Sequence, residues 1–253
     1  MTCKTLASAV FLTLLGLGAN AEDKSEEKLW FDTYDARERY FESTVGPLPK
    51  DIIKMRSMAG VWPGGGLYVI PAPKVGANLA VYTTSGLTNA DMPTDVRMVG
   101  FKLDSDKKQV AGRLKKKTRA RQPPGAAGYG YELMVVAPKG VDWPLMVLQW
   151  AVNQELVNDI GLLDRVEESD GFTVAQIDVD ESEPVNILIT KALPPLPTGR
   201  QLPAGKMEIL VATVITPEEM SWSRRNRRDA LLQRLKDAGV GQVSKLKRES
   251  VVH

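Results

Sequence analysis

The sequence predicts an α+β fold, a mixed and largely antiparallel β-sheet flanked by helices. Three observations predict it: short runs rich in Val, Ile, Tyr and Thr follow one another between turn residues, a helical stripe precedes them, and further helical stretches fall between unlike strand runs.

Taken in order, residues 22–43 carry Leu29, Trp30, Tyr34, Arg37, Tyr40 and Phe41 at steps of three and four, as on one helix face that docks on a main body. Gly46-Pro47-Leu48-Pro49 ends that helix, and Trp62-Pro63-Gly64-Gly65-Gly66 is a second break. The chain thus divides into a leader at 1–21, a helical segment and linker at 22–61, and a core domain at 62–253. Strands are expected at Leu67 to Ile70, Leu79 to Thr84, Val96 to Leu103, Tyr131 to Ala137, Phe172 to Val179, Asn186 to Thr190 and Met207 to Ile215. Asp142-Trp143-Pro144 opens a helix that carries Leu148, Ala151, Val152, Glu155, Leu156 and Ile160 until Gly161. Thr216-Pro217-Glu218-Glu219 has the form of a capping box, so a short helix follows the last strand. The final helix runs from about Arg228 to Ala238, with Leu231, Leu232 and Leu235 inward and Gly239 as its stop.

The leader reads as an address. Lys4, the apolar stretch Leu6 to Leu17 and Ala19-Asn20-Ala21 before Glu22 match a secretory signal peptide cut after Ala21. The apolar run is short of the ~20 residues that cross a bilayer, so no stable membrane insertion is expected after cleavage. The expected location is secreted or periplasmic.

Composition removes most site chemistry. The chain has 253 residues with 33 Lys plus Arg against 31 Asp plus Glu, and this balance makes no case for a nucleic-acid partner. Its one Cys, Cys3, and its one His, His253, stand at the two ends. Zinc, haem, thiol and Ser-His-Asp chemistry all need imidazole or thiolate inside a pocket. What survives is carboxylate chemistry, a Ser/Lys arrangement, hard-cation binding by oxygen ligands, or no chemistry; Asp178 to Glu183 lacks the ligand spacing and glycine of an EF-type calcium loop, and no metal or cofactor is expected. The glycine clusters lack the Lys-Ser/Thr ending of a phosphate loop.

Two charged stretches remain. Asp164 to Glu183 holds eight carboxylates against Arg165, read here as a solvated acidic hairpin. The alternative is an exported carboxylate-dependent hydrolase with Asp178 and Asp180 foremost, since paired carboxyls about 5 to 10 Å apart run glycoside hydrolysis. Lys102 to Arg121 holds nine cations against Asp104 and Asp106, in a hairpin and its loop. Such a run attracts an acidic face in a salt-dependent way.

Several phrases stand in one order: Val81-Tyr82-Thr83-Thr84-Ser85-Gly86-Leu87-Thr88, Gly128-Tyr129-Gly130-Tyr131-Glu132-Leu133, Trp143-Pro144, Ile187-Leu188-Ile189-Thr190, and Ile209-Leu210-Val211 with Thr216-Pro217-Glu218-Glu219. In this the sequence resembles the suppressor-of-fused domain family, from about Trp62 to Gly239. It departs from the family at Gly76-Ala77-Asn78-Leu79-Ala80, where a His- and Trp-bearing stretch is usual, so the animal protein's contacts do not carry over. The resemblance implies a suppressor-of-fused-like fold and a non-enzymatic protein-binding module. The animal relative grips a short strand of a transcription factor, and bacterial relatives are proposed as immunity proteins that neutralise toxins. With the leader, the expected partner is a toxin or an envelope protein. Candidate partner contacts are Tyr131, Glu132 and Trp143 in the family phrases and Lys115, Lys116, Lys117, Arg119 and Arg121 in the basic stretch. Packing is the competing account of Tyr131, Leu133 and Trp143, and Gly86, Gly130 and Pro144 read as turn and cap residues.

Overall fold

The computed structural model describes residues 21–54, 56–57, 60–61, 65–92, 94–103, 109–116, 124–179 and 183–252, with backbone alone for 21–23, 56–57, 60–61, 94–103 and 109–116. Helix α1 spans Ala21–Thr44, and two-residue strands β1 (Arg56–Ser57) and β2 (Gly60–Val61) pair in the linker. Strands β3 (Gly66–Pro71) and β4 (Leu79–Ser85) precede a ribbon of β5 (Thr94–Leu103) and β6 (Gln109–Lys116). Next come β7 (Ala126–Pro138), α2 (Trp143–Asn158), α3 (Leu162–Ser169), β8 (Phe172–Ile177) and β9 (Val185–Lys191). The chain ends through β10 (Gly199–Leu202), β11 (Gly205–Ile215), α4 (Pro217–Arg225) and α5 (Arg228–Asp237).

The main sheet has seven strands in the order β3-β4-β7-β11-β9-β8, with β10 also on β11. Its β7–β11 pair is parallel and the other pairs are antiparallel, so the sheet is mixed and largely antiparallel, as predicted.

Both faces of this sheet are covered, and the two-residue period sorts each strand between them. Tyr131, Leu133, Val135 and Ala137 of β7 and Leu210, Ala212 and Val214 of β11 pack beneath α2 and α3. Met134 and Val136 with Ile209 and Val211 point to the opposite face, where Tyr40 and Phe41 of α1 meet them. A third cluster, Leu188, Ile215, Met220, Leu231, Leu235 and Val252, seats α4, α5 and the end of the chain. Among the described residues no helix is long and apolar enough to cross a membrane.

The structure departs from the sequence reading at Leu29, at strand β10 and in the acidic stretch, among other places. Leu29 is 40% exposed, because α1 meets the sheet only from Thr33 onward. Strand β10 was not expected, since Gly-Arg-Gln-Leu has no β-branched run, and it forms by pairing with β11. The acidic stretch is not one hairpin: its first part is α3, set apart from α2 by left-handed Asp159 and Gly161, with Leu162, Leu163 and Val166 facing the core.

Candidate functional site

The family phrases converge on one buried carboxylate. Glu132 sits on β7 with its side chain toward the α1 face and is wholly buried. Its Oε1 accepts from the Gly86 amide at 2.9 Å, the Thr88 amide at 3.1 Å and the Thr88 hydroxyl at 2.7 Å, and its Oε2 accepts from the Thr84 hydroxyl at 2.6 Å. Thr84 Oγ1 in turn accepts from the Leu133 amide, which joins β4 to β7 at the end of their ladder. Gly86, at φ 126°, permits the turn that aims two amides at the carboxylate.

Arg37 of α1 closes this hub. Its guanidinium, also wholly buried, donates to Ser85 Oγ at 3.2 Å, Thr88 Oγ1 at 3.2 Å and Asn89 Oδ1 at 2.8 Å, and stands 3.7 Å from Glu132 Oε1. It also lies 5.1 Å over the Tyr34 ring. A buried ion pair is stable only when its remaining donors and acceptors are satisfied, and here the 84–89 turn satisfies most of them. The hub therefore fastens α1, the turn and β7 to each other. Arg37 stood on the predicted apolar stripe of α1, and a cation among Tyr34, Tyr40 and Phe41 was the signal that a buried acid must face it.

On the opposite face of β7, Tyr131 donates to Glu155 Oε2 at 2.9 Å. Glu155, buried on α2, also accepts from the amides of Gly161 and Leu162, so one carboxylate links the sheet, α2 and the start of α3. Tyr131 and Glu132, expected as partner contacts, are thus both internal, since neither has any surface to offer. Trp143 is 8% exposed and packs in the same core at the start of α2. These three positions are corrected from surface to interior: packing accounts for Tyr131 and Trp143, and the buried hydrogen-bond hub accounts for Glu132.

Above the hub, Tyr68 donates to Glu38 at 2.8 Å and meets the Tyr34 hydroxyl at 3.3 Å. Burial first, then these hydrogen bonds, push the Tyr68 phenol far above its ordinary range, and burial also raises Tyr34. At the other end of the molecule, Thr216 and Glu219 form the predicted capping box, and Arg248 adds a two-point ion pair to Glu219. Burial alone would raise the Glu219 carboxyl, but Arg248 and the amides of Val251 and Thr216 hold it below the usual carboxylate range. A shallow groove of about 350 Å³ runs beside it, lined by Pro217, Glu218, Ser221, Trp222, Arg225 and Val252.

Glu167 pairs with Lys191 at 2.7 Å and Asp170 with Arg227 at 2.6 Å, while Asp178 is exposed beyond β8 and Asp180 lies outside the described residues. No group of three or more His, Cys, Asp or Glu is placed to hold a metal ion among the described residues. Of the basic candidates, Lys115 and Lys116 end β6 in register with Asp95 and Thr94. Lys117, Arg119 and Arg121 lie outside the described residues.

A family model described as suppressor of fused protein matches residues 51–249. Among solved structures the chain is similar to one described as the Sufu-Fu complex, at 15% identity and a TM-score of 0.54, over 87% of this chain and 92% of that one. It is also similar to Drosophila Suppressor of Fused, at 14% identity and a TM-score of 0.48, over 86% of this chain and 50% of that one. A suppressor of fused homologue from Neisseria gonorrhoeae FA 1090 matches at 14% identity and a TM-score of 0.48, over 90% of this chain and 98% of that one. No curated protein matches the chain.

Proposed function

Because this chain belongs to the suppressor of fused family, we propose that it is a non-catalytic protein-binding module exported to the cell envelope, where it neutralises an incoming toxin in the manner of an immunity protein. The observation that carries the binding reading is a fold shared with a structure described as the Sufu-Fu complex, at a TM-score of 0.54. The internal chemistry supports it: Glu132 and Glu155 spend their oxygens on hydroxyls and amides of the fold itself. Export is supported by Lys4, the Leu6 to Leu17 stretch and Ala19-Asn20-Ala21. Cleavage after Ala21 would keep Thr33, Arg37 and Phe41, so the mature chain retains the part of α1 that docks.

The proposed contact for an acidic partner face is the basic stretch, Lys115, Lys116, Lys117, Arg119 and Arg121. The test is capture from an envelope fraction by the full protein expressed with its leader. A mature N-terminus at Glu22 and a specific protein partner are expected. A cytoplasmic, uncleaved chain would overturn export. Recovery of no protein, together with turnover in a substrate panel, would overturn the binding reading. With a partner in hand, neutralising the five cations is expected to slow association at low salt while changing stability by under ~1 kcal/mol.

A further inference from the structure

Helix α4 turns Glu219, Met220 and Ser223 into the protein. Its other side carries Glu218, Ser221, Trp222 and Arg225 at steps of three, one and three residues, which is a single helical face. These four residues line the groove of about 350 Å³, and Pro217 and Val252 complete it. Val252 is fixed there because the Val251 amide donates to Glu219 and its own amide donates to Ser250 Oγ.

The groove is charged at its two ends and apolar between them. Glu218 and Arg225 are both exposed, and the seven residues from one to the other place them about 10.5 Å apart along the helix. Trp222 lies between them, and Arg234 of α5 stands 4.9 Å over its ring, which holds the indole and adds a second cation beside it. Neighbouring cations are already spent, Arg227 on Asp170 and Asp229, and Arg248 on Glu219. Glu218 and Arg225 enter no ion pair among the described residues.

We propose that this groove takes a short extended segment of a protein partner that carries a cation, an apolar residue and an acid at alternate positions. Alternate side chains of a strand point to one side, so two charges four residues apart span about 13 Å. The flexible arms of Glu218 and Arg225 absorb the ~3 Å beyond their helical spacing. The partner's cation then meets Glu218, its acid meets Arg225, and its middle residue falls over Trp222. The proposal rests on the reading of this chain as a protein-binding module, and it names a contact separate from the basic stretch.

Nuclear magnetic resonance titration of the isotope-labelled protein tests it, with the end-blocked pentapeptide Arg-Ser-Leu-Ser-Glu as probe. Saturating shifts are expected at Ser221, the Trp222 indole, Arg225 and Val252, at about millimolar peptide. The control peptides Glu-Ser-Leu-Ser-Glu and Arg-Ser-Ser-Ser-Glu are each expected to bind roughly threefold more weakly or worse, having lost one charge match or the apolar contact. Arg225→Glu is expected to weaken the probe and to favour Arg-Ser-Leu-Ser-Arg, because both ends of the groove are then acidic. If that variant fails to fold, Arg225→Gln replaces it, with the weakening alone expected. No shift at several millimolar probe, shifts confined to other surfaces, or equal binding of the probe and both controls overturns the proposal. Groove shifts that follow protein concentration without peptide would assign the groove to a second copy and overturn it too. Envelope capture separates this proposal from the reading beneath it. A partner recovered equally by wild type and Arg225→Glu overturns the groove and leaves the binding module standing. A wild type that recovers no partner counts against the module, while the titration decides the groove.

Discussion

Arg37 Nη1 of α1 stands 3.7 Å from Glu132 Oε1 of β7, and neither side chain reaches solvent. This pair joins a helix outside the family match, which starts at residue 51, to the strand at the middle of the fold. Removing one partner of a buried pair strands the other charge. Glu132→Gln and Arg37→Met are each expected to cost about 3 to 5 kcal/mol, measured from denaturant midpoints. The double substitution Arg37→Met with Glu132→Leu is expected to cost less than the two single effects added together. Additive losses under ~1 kcal/mol each would show that the hub does not hold α1.

Tyr131 and Glu155 make the corresponding tie on the other face, at 2.9 Å. Tyr131→Phe keeps the ring's packing and removes only the hydroxyl, so a loss of about 1 kcal/mol is expected. A double-mutant cycle with Glu155→Gln is expected to show coupling, because the same carboxylate oxygen also accepts from Leu162. Additivity within a few tenths of a kcal/mol would place the two side chains in separate networks.

The pH dependence of stability follows from Glu219. Its carboxyl lies below the ordinary range in the folded chain, despite burial, because of Arg248 and the Val251 and Thr216 amides. A depressed carboxylate stabilises fully above its unfolded pKa of about 4.3, and that stability is lost as pH falls through the folded value. The stability gap between wild type and Glu219→Gln is therefore expected to be full at pH 7 and to shrink in acid. A gap that widens on acidification contradicts this.

Tyr68 gives the opposite sign. Its phenol is raised by burial and by the hydrogen bonds with Tyr34 and Glu38, so its contribution is complete below the unfolded value of about 10 and fades as pH rises past it. In a spectrophotometric titration Tyr68→Phe is expected to remove a phenol that ionises only when the protein unfolds in alkali. Ionisation of Tyr68 in the folded protein near its ordinary value would refute the buried cluster.

Gly128 tests the close approach of β7 to the 87–89 turn. At φ 55°, a Cβ there would stand 2.3 Å from the Leu87 carbonyl oxygen and 2.9 Å from that of Asn89. Both neighbours are backbone and cannot move aside cheaply. Gly128→Ala is expected to cost more than ~2 kcal/mol, and a neutral substitution would mean that the turn does not pack where it is described.

The amino-acid pattern by itself determined the strand runs, the α1 helix, the capping box at Thr216 and the sheet class, because period, β-branching and cap chemistry are local properties. It also displayed the phrases around Thr84 and Glu132 in their order. Their purpose was not legible there. Whether Glu132 faces solvent or a buried Arg37 depends on which face of β7 lies under α1, and a two-residue period cannot choose between the faces of a strand buried on both. The same holds for Glu155, which in sequence is one more polar residue on a helix. Only tertiary packing brought Tyr131 and the start of α3 to it, and burial then made each of its hydrogen bonds obligatory.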